Sequence, residues 1–265
     1  MDNKLLILAV VFLFIAGCST NPELHHLTGE AQGTTYTIKY TGTYVVSPSM
    51  VDSVLESMDI VMNTWRKDSR ISEINKFQRT DTVYTFYDES KIWSVLWDLS
   101  WEINQDSYGA FDPTVMPLVE LWGFGLKNAQ NVDSAKVDSI MSFMGFRTDL
   151  IDLDEVENDS AYIESHIIKG DPRSRLDFNA IAQGYTVDML LDLLLEEGVE
   201  NAMVELGGEV RCVGVNNKGN TWKIAVDKPI DSGHKNREFQ AIIPVNNASV
   251  CTSGNYRKFV EVDGI

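Results

Sequence analysis

The chain is short of the residues that build the commonest catalytic centres. It holds 3 cysteines and 4 histidines, and two of the histidines, His25 and His26, sit side by side near the N-terminus. A zinc site built on histidine or a Ser-His-Asp triad therefore lacks material. No CxxC pair, HExxH, GxSxG, GxxxxGK or GxGxxG occurs, which removes the zincins, the α/β-hydrolases and the common phosphate and dinucleotide loops. Any metal here would be held by oxygen, an arrangement that suits magnesium bridging phosphates. Cations are scarce as well: Lys plus Arg number 22 against 39 Asp plus Glu, a formal net charge of -17. Such a chain repels a phosphate backbone, so nucleic acid is excluded as a partner. It also gains nothing from anionic lipid, so membrane attachment has to be covalent or inserted.

The N-terminus supplies that attachment. Residues 1–17 read as a signal peptide, with Lys4 in a short polar start and an apolar run from Leu5 to Ile15. The run is short for a permanent span, and Ile15-Ala16-Gly17-Cys18 resembles the bacterial lipobox, in which the cysteine is acylated and becomes the mature N-terminus. A signal anchor or a buried helix is the plainer alternative. The expected layout is a lipidated Cys18, a polar tether over 18–27, and one folded unit from 28 to 265, in the cell envelope on the periplasmic side of the inner or outer membrane. Cys212 and Cys251 lie in apolar strand-like stretches, where an oxidising envelope would permit a bridge but nothing in the sequence brings them together.

With 44% hydrophobic residues the chain can bury one large core or two modest ones. Thr34 to Val46 reads as a strand. Ser47 and Pro48 then open a helix with Val51, Val54, Leu55, Met58, Val61 and Met62 on one apolar face. A second helix is expected from Asp88 to Gly109, its Trp93, Trp97 and Trp101 stripe facing the core. Helical character recurs over Asp133 to Met144 and from Asn179 to Glu197, the latter stopped by Gly198, with a hairpin region at 146–172 between them. Strands follow around Met203, Trp222 to Val226, Phe239 to Ile243 and Tyr256 to Val262. With no repeat or low-complexity tract, the expectation is one α+β unit, a mixed, largely antiparallel sheet flanked by helices.

Four clusters carry unusual chemistry, and each has a plainer reading. In Ala110-Phe111-Asp112-Pro113-Thr114 the proline holds Asp112 extended with its carboxylate outward, though a turn would look the same. Asp177-Phe178-Asn179-Ala180-Ile181-Ala182-Gln183 places an acid at a helix start that favours anions, or else simply an N-cap. Gly207-Gly208 between Glu205 and Glu209 allows close approach to bare backbone, or marks a bulge. Thr252-Ser253-Gly254-Asn255 offers hydroxyls and amides to a phosphate, or is a tight turn.

In order and spacing these clusters resemble the ApbE family, the FAD:protein FMN transferases, from about residue 28 to the end. The matching text is Gln32-Gly33-Thr34-Thr35-Tyr36, Thr64-Trp65 with Asp68-Ser69 and Ile74-Asn75, AFDPTVMPLVELWGFG from Ala110, DFNAIAQGY from Asp177, ELGGEV from Glu205 and TSGNYRKF from Thr252. The resemblance implies an enzyme that binds FAD and magnesium and transfers FMN to a threonine of an envelope redox protein, releasing AMP. It places FAD contacts at Gln32, Trp65, Ala110, Phe111, Asp112, Asp177 and Gln183, and a metal-binding carbonyl at Ala180. Gln183 departs from the lysine often found there, exchanging a charged phosphate contact for a neutral one. The family's His-x-x-x-Pro-x-x-Gly segment and the metal ligands beyond it have no counterpart before Ile265, so the resemblance implies a C-terminally incomplete domain and a poorly held metal. A non-catalytic flavin-binding envelope lipoprotein and a flavin oxidoreductase are the competing classes.

Overall fold

The computed structural model describes residues 22–124, 132–156, 163–228 and 238–254. Along the chain run β1 (Leu24–Ala31), β2 (Thr34–Thr41), α1 (Pro48–Met62), α2 (Arg70–Lys76), β3 (Tyr84–Asp88), α3 (Ile92–Asp106), α4 (Met116–Leu121), α5 (Ser134–Met141), β4 (Ile151–Val156), β5 (Ile163–Lys169), α6 (Asn179–Glu196), β6 (Asn201–Leu206), β7 (Glu209–Val213), β8 (Trp222–Asp227), β9 (Phe239–Val245) and β10 (Ala248–Val250). The strands form three sheets, ordered β1-β2-β6-β7-β10, β3-β5-β4 and β8-β9. Every pairing among the described residues is antiparallel. The α+β class holds, with three sheets in place of one.

The five-stranded sheet is built around β2, which pairs with β1 through the Gln32-Gly33 turn and with β6 from Tyr36↔Leu206 to Thr41↔Asn201. Alternation along β2 sends Tyr36, Ile38 and Tyr40 to one buried face. There they meet Val51 and Leu55 of α1 and Val187, Leu190, Leu191 and Leu194 of α6. The first two turns of α6 serve a second core: Phe178 and Ala182 pack with Trp93, Leu96 and Trp97 of α3, Ile71 and Ile74 of α2, and Phe86, Ile151 and Ile167 of the three-stranded sheet. A small third cluster, Met203, Cys212, Trp222 and Val245, seats the β8-β9 hairpin on the opposite face of the large sheet. Helix α6 thus joins the two main cores, and its N-terminal end emerges where they meet.

Several elements match their sequence signals and others depart from them. Helix α1 starts after Ser47 with Pro48 in its first turn, and buries Val51, Leu55, Met58 and Met62. Gly198 stops α6 with φ +81°, its amide donating to the Leu195 carbonyl and that of Val199 to Leu194. The helix expected from Asp88 begins at Ile92, because Asp88 closes strand β3. The Asp88 carboxylate, buried, then caps from outside, accepting the Ser94 amide at 2.9 Å and the Ser94 hydroxyl at 2.8 Å. Of the tryptophan stripe, Trp93 and Trp97 are buried while Trp101 is 38% exposed, beyond the edge of the core. Leu24 to Leu27, read as tether, are instead strand, paired with Ile38 to Thr41. Cys212 is buried and Cys251 exposed, and both are free. The strand expected over Tyr256 to Val262 lies outside the described residues, as does the signal peptide with Cys18.

Candidate functional site

The clusters singled out in the sequence converge on the N-terminal turns of α6. Asp177 is buried just before the helix, its backbone amide donating to the Pro113 carbonyl at 2.7 Å, so the Ala110–Thr114 segment and the Asp177 segment are tied directly together. Its Oδ1 accepts the Asn179 amide at 2.7 Å. Asp177 therefore makes an Asx-type turn one residue ahead of the N-cap position, which Phe178 occupies. Burial pushes its carboxyl above the usual carboxylate range, against the lowering effect of the hydrogen bonds from Asn179.

Asp112 is half-buried, and one of its oxygens is already engaged: Oδ1 accepts both the amide of Thr114 at 2.8 Å and its hydroxyl at 2.6 Å. The Thr114 hydroxyl oxygen in turn accepts the Gly145 amide at 2.8 Å, holding the segment against the loop after α5. Phe111 is clamped from α3, its amide donating to Ser107 Oγ at 3.0 Å and its carbonyl accepting Asn104 Nδ2 at 2.6 Å. Ala110 is exposed. The turn reading of Asp112 therefore holds through Oδ1.

A cleft opens beside Asp177, lined by Thr64, Trp65, Met116, Val119, Phe124, Asp177 and Asn179. Trp65 is 58% exposed and Phe124 49%, two aromatic faces left at the mouth of a polar-based cleft. Such faces suit a flat ring. The Trp65 loop is held by Ser69, whose hydroxyl donates to the Asn63 carbonyl at 2.7 Å and accepts the Ser72 amide at the start of α2. Thr64 also links to α6 through Asn179 Nδ2, at 3.4 Å.

The second half of the site lies further along α6. Gln32 and Gly33 both take positive φ, 50° and 73°, as a two-residue hairpin of that hand requires. The Gln32 amide donates to Thr186 Oγ1 at 2.8 Å, pinning the hairpin to the helix. Gln183 sits against the Gly207-Gly208 turn between β6 and β7. A Cβ on Gly207 would fall 2.8 Å from Thr34 Cγ2 and 3.2 Å from Gln183 Oε1. Thr252 closes the same turn, its hydroxyl donating to the Gly208 carbonyl at 3.1 Å and its amide to Glu209 Oε2 at 3.3 Å. Glu209 is held above the usual carboxylate range by burial, with Glu205 nearby adding to the effect.

Asp177 and Gln183 are separated by roughly 9 Å of helical rise, so the clusters form a strip rather than a point. It runs from the aromatic cleft to the glycine turn and suits a long ligand with a ring at one end. For magnesium the described residues offer little: no group of three or more His, Cys, Asp or Glu could hold an ion, and Ala180, exposed in the first turn of α6, provides a single carbonyl. These residues alone do not form a metal site. Sequence reasoning missed Asn179 and Thr64 as cleft residues and Asn75 as a partner of Leu176, all of them within the quoted motifs but without a periodic signal of their own.

Residues 32–265 match the model of the ApbE family. The FAD:protein FMN transferase of Vibrio cholerae is 34% identical over 280 residues, covering 100% of this chain and 76% of that protein. That of Haemophilus influenzae is 29% identical, covering 98% and 74%. Among solved structures, the flavin transferase ApbE from Vibrio cholerae superposes with a TM-score of 0.73 at 30% identity over 90% of this chain and 74% of that one. The apo form of the Pseudomonas stutzeri flavinyl transferase ApbE gives 0.71 at 27% identity over 92% and 72%.

Proposed function

Given that the chain belongs to the ApbE family, we propose that it is an FAD:protein FMN transferase, moving FMN from FAD to a threonine hydroxyl of an envelope redox protein. In this reaction the hydroxyl oxygen bonds to the FMN phosphorus, the pyrophosphate P–O bond breaks, AMP leaves and the hydroxyl proton passes to base or solvent. The observation that carries the reading is the convergence of five sequence-distant motifs along the first turns of α6. Trp65 and Phe124 would take the isoalloxazine or adenine ring. Asp177 and Asp112 would accept hydrogen bonds from it, and the Gln183 side-chain amide, held beside the Gly207-Gly208 turn, would face the pyrophosphate. Because the acceptor protein brings the nucleophile, the enzyme has only to align it and stabilise charge, which accounts for the missing nucleophile motif.

Magnesium dependence belongs to the same reading. The metal would supply charge neutralisation on the phosphates. The protein is placed in the envelope by a lipid on Cys18. Incubation with FAD, magnesium and a threonine-bearing target, followed by a denaturing gel, tests the reading. Covalent flavin fluorescence on the target and its loss with a chelator are expected. AMP without labelling would make the chain a pyrophosphatase, and neither product would leave it a flavin binder.

A further inference from the structure

Asn75 occupies the last turn of α2, is not among the residues that line the cleft, and is half-buried. Its Nδ2 donates to the Leu176 carbonyl at 2.8 Å and its Oδ1 accepts the Leu176 amide at 2.7 Å. One side chain therefore takes both backbone groups of a residue 101 positions away, in the way a neighbouring strand would. The stretch it grips belongs to no strand or helix. Leu176 is fully buried at 0% exposure, so no water would replace the lost partners. Asp177 comes next, with its own amide fixed by Pro113. At the other end of α2, Ser69 holds the loop that carries Thr64 and Trp65. Helix α2 is thus a short strut between the Trp65 side of the cleft and the Asp177 side, and Asn75 is its fastening.

We propose that Asn75 is a positioning residue, which sets the Asp177 carboxylate against the Trp65 face and so fixes the geometry in which FAD is bound. The proposal rests on the reading of the cleft as an FAD site. Pairing with both the N–H and the C=O of one residue needs a donor and an acceptor side by side, which Asn supplies at this reach and neither Asp nor Ala can.

The test is FAD affinity, read by flavin fluorescence on the full chain alongside thermal melts, for Asn75→Ala, Asp177→Ala, the double variant and Ile71→Val. Ile71 is a buried core residue of the same helix with no bond to Leu176, so its variant reports loss of stability alone. Asn75→Ala should weaken FAD about tenfold, the equivalent of one lost well-oriented hydrogen bond. Ile71→Val should stay within about twofold of the parent, since it removes packing and no ligand contact. In the double variant the Asn75 effect should vanish, because it acts through Asp177. Should Asn75→Ala fail to fold, Asn75→Gln, which keeps donor and acceptor on a longer arm, should show an intermediate loss. Additive losses, or an Asn75→Ala affinity equal to that of Ile71→Val, would overturn the proposal. Unchanged affinity in Asp177→Ala would instead overturn the FAD reading of the cleft, and the role of Asn75 with it.

Discussion

Asp177 illustrates what the site costs in stability. Burial raises its carboxyl, so between the ordinary carboxylate value and the raised one the folded protein binds more protons than the unfolded chain. Stability therefore falls as pH rises through that window. Asp177→Asn should remove the fall, raising the melting temperature at neutral pH while weakening FAD by about ten- to a hundredfold through loss of a carboxyl acceptor. Melting curves across the acidic range and FAD titration check both halves, and a variant less stable at neutral pH would contradict the first. Lys169 carries a second cost. It is 1% accessible on β5, its Nζ has no partner among the described residues, and burial, with Arg175 adding, pushes its ammonium down to about 8. Between about 8 and the ordinary 10.5 the unfolded chain holds the extra proton, so stability should rise with pH over that window. Lys169→Met should abolish the rise and stabilise the fold at neutral pH by roughly 1–4 kcal/mol. Unfolding in denaturant at a series of alkaline pH values would show it.

The elements differ in how openly the sequence announces them, and the reason is physical. Helices α1 and α6 each bury an apolar stripe, α1 opening at Pro48 and α6 stopping at Gly198, so period and punctuation agree. Strand β3 and helix α2 span few residues, and their signal is a side-chain bond to a distant partner that no local pattern encodes. The tight turn at Gly207-Gly208 was legible as a glycine pair, but its crowding was not. With φ +63° and Thr34 and Gln183 pressed against it, Gly207→Ala should combine backbone strain with displacement of Gln183. It should cost about 1 kcal/mol or more in stability and also weaken FAD. Gly219→Ala, at φ +73° with nothing within 4 Å, carries the strain alone and should leave FAD affinity unchanged. Equal FAD titrations for the two variants would mean that Gln183 does not contact the ligand. Of the candidate site, the acids and glycines could be picked out as exceptions to local rules, whereas Thr64 and Asn179 became visible only once the cleft existed.

For the molecule as a whole, we propose that the lipid on Cys18 is separable from the fold, since among the described residues the first strand begins at Leu24 and both main cores are built from residues after it. Cys18→Ala should leave melting behaviour and FAD affinity intact while moving the protein from the membrane to the soluble envelope fraction. Mass spectrometry of the mature N-terminus checks the acylation, and cleavage elsewhere without acyl chains would refute it. The pairing of β2 with β6 has a consequence for how the chain reaches this structure. The β1-β2 hairpin can close at once, but the strand that completes its inner edge, beginning at Asn201, joins Thr41 and Tyr36 only after the two intervening helical and sheet layers have been made. Until then β2 is an unpaired edge with an apolar face, and contacts of such long sequence separation are slow to form. The β1-β2 hairpin is therefore exposed to mispairing until residues 201–206 have been made, and completion of the large sheet waits on the later part of the chain.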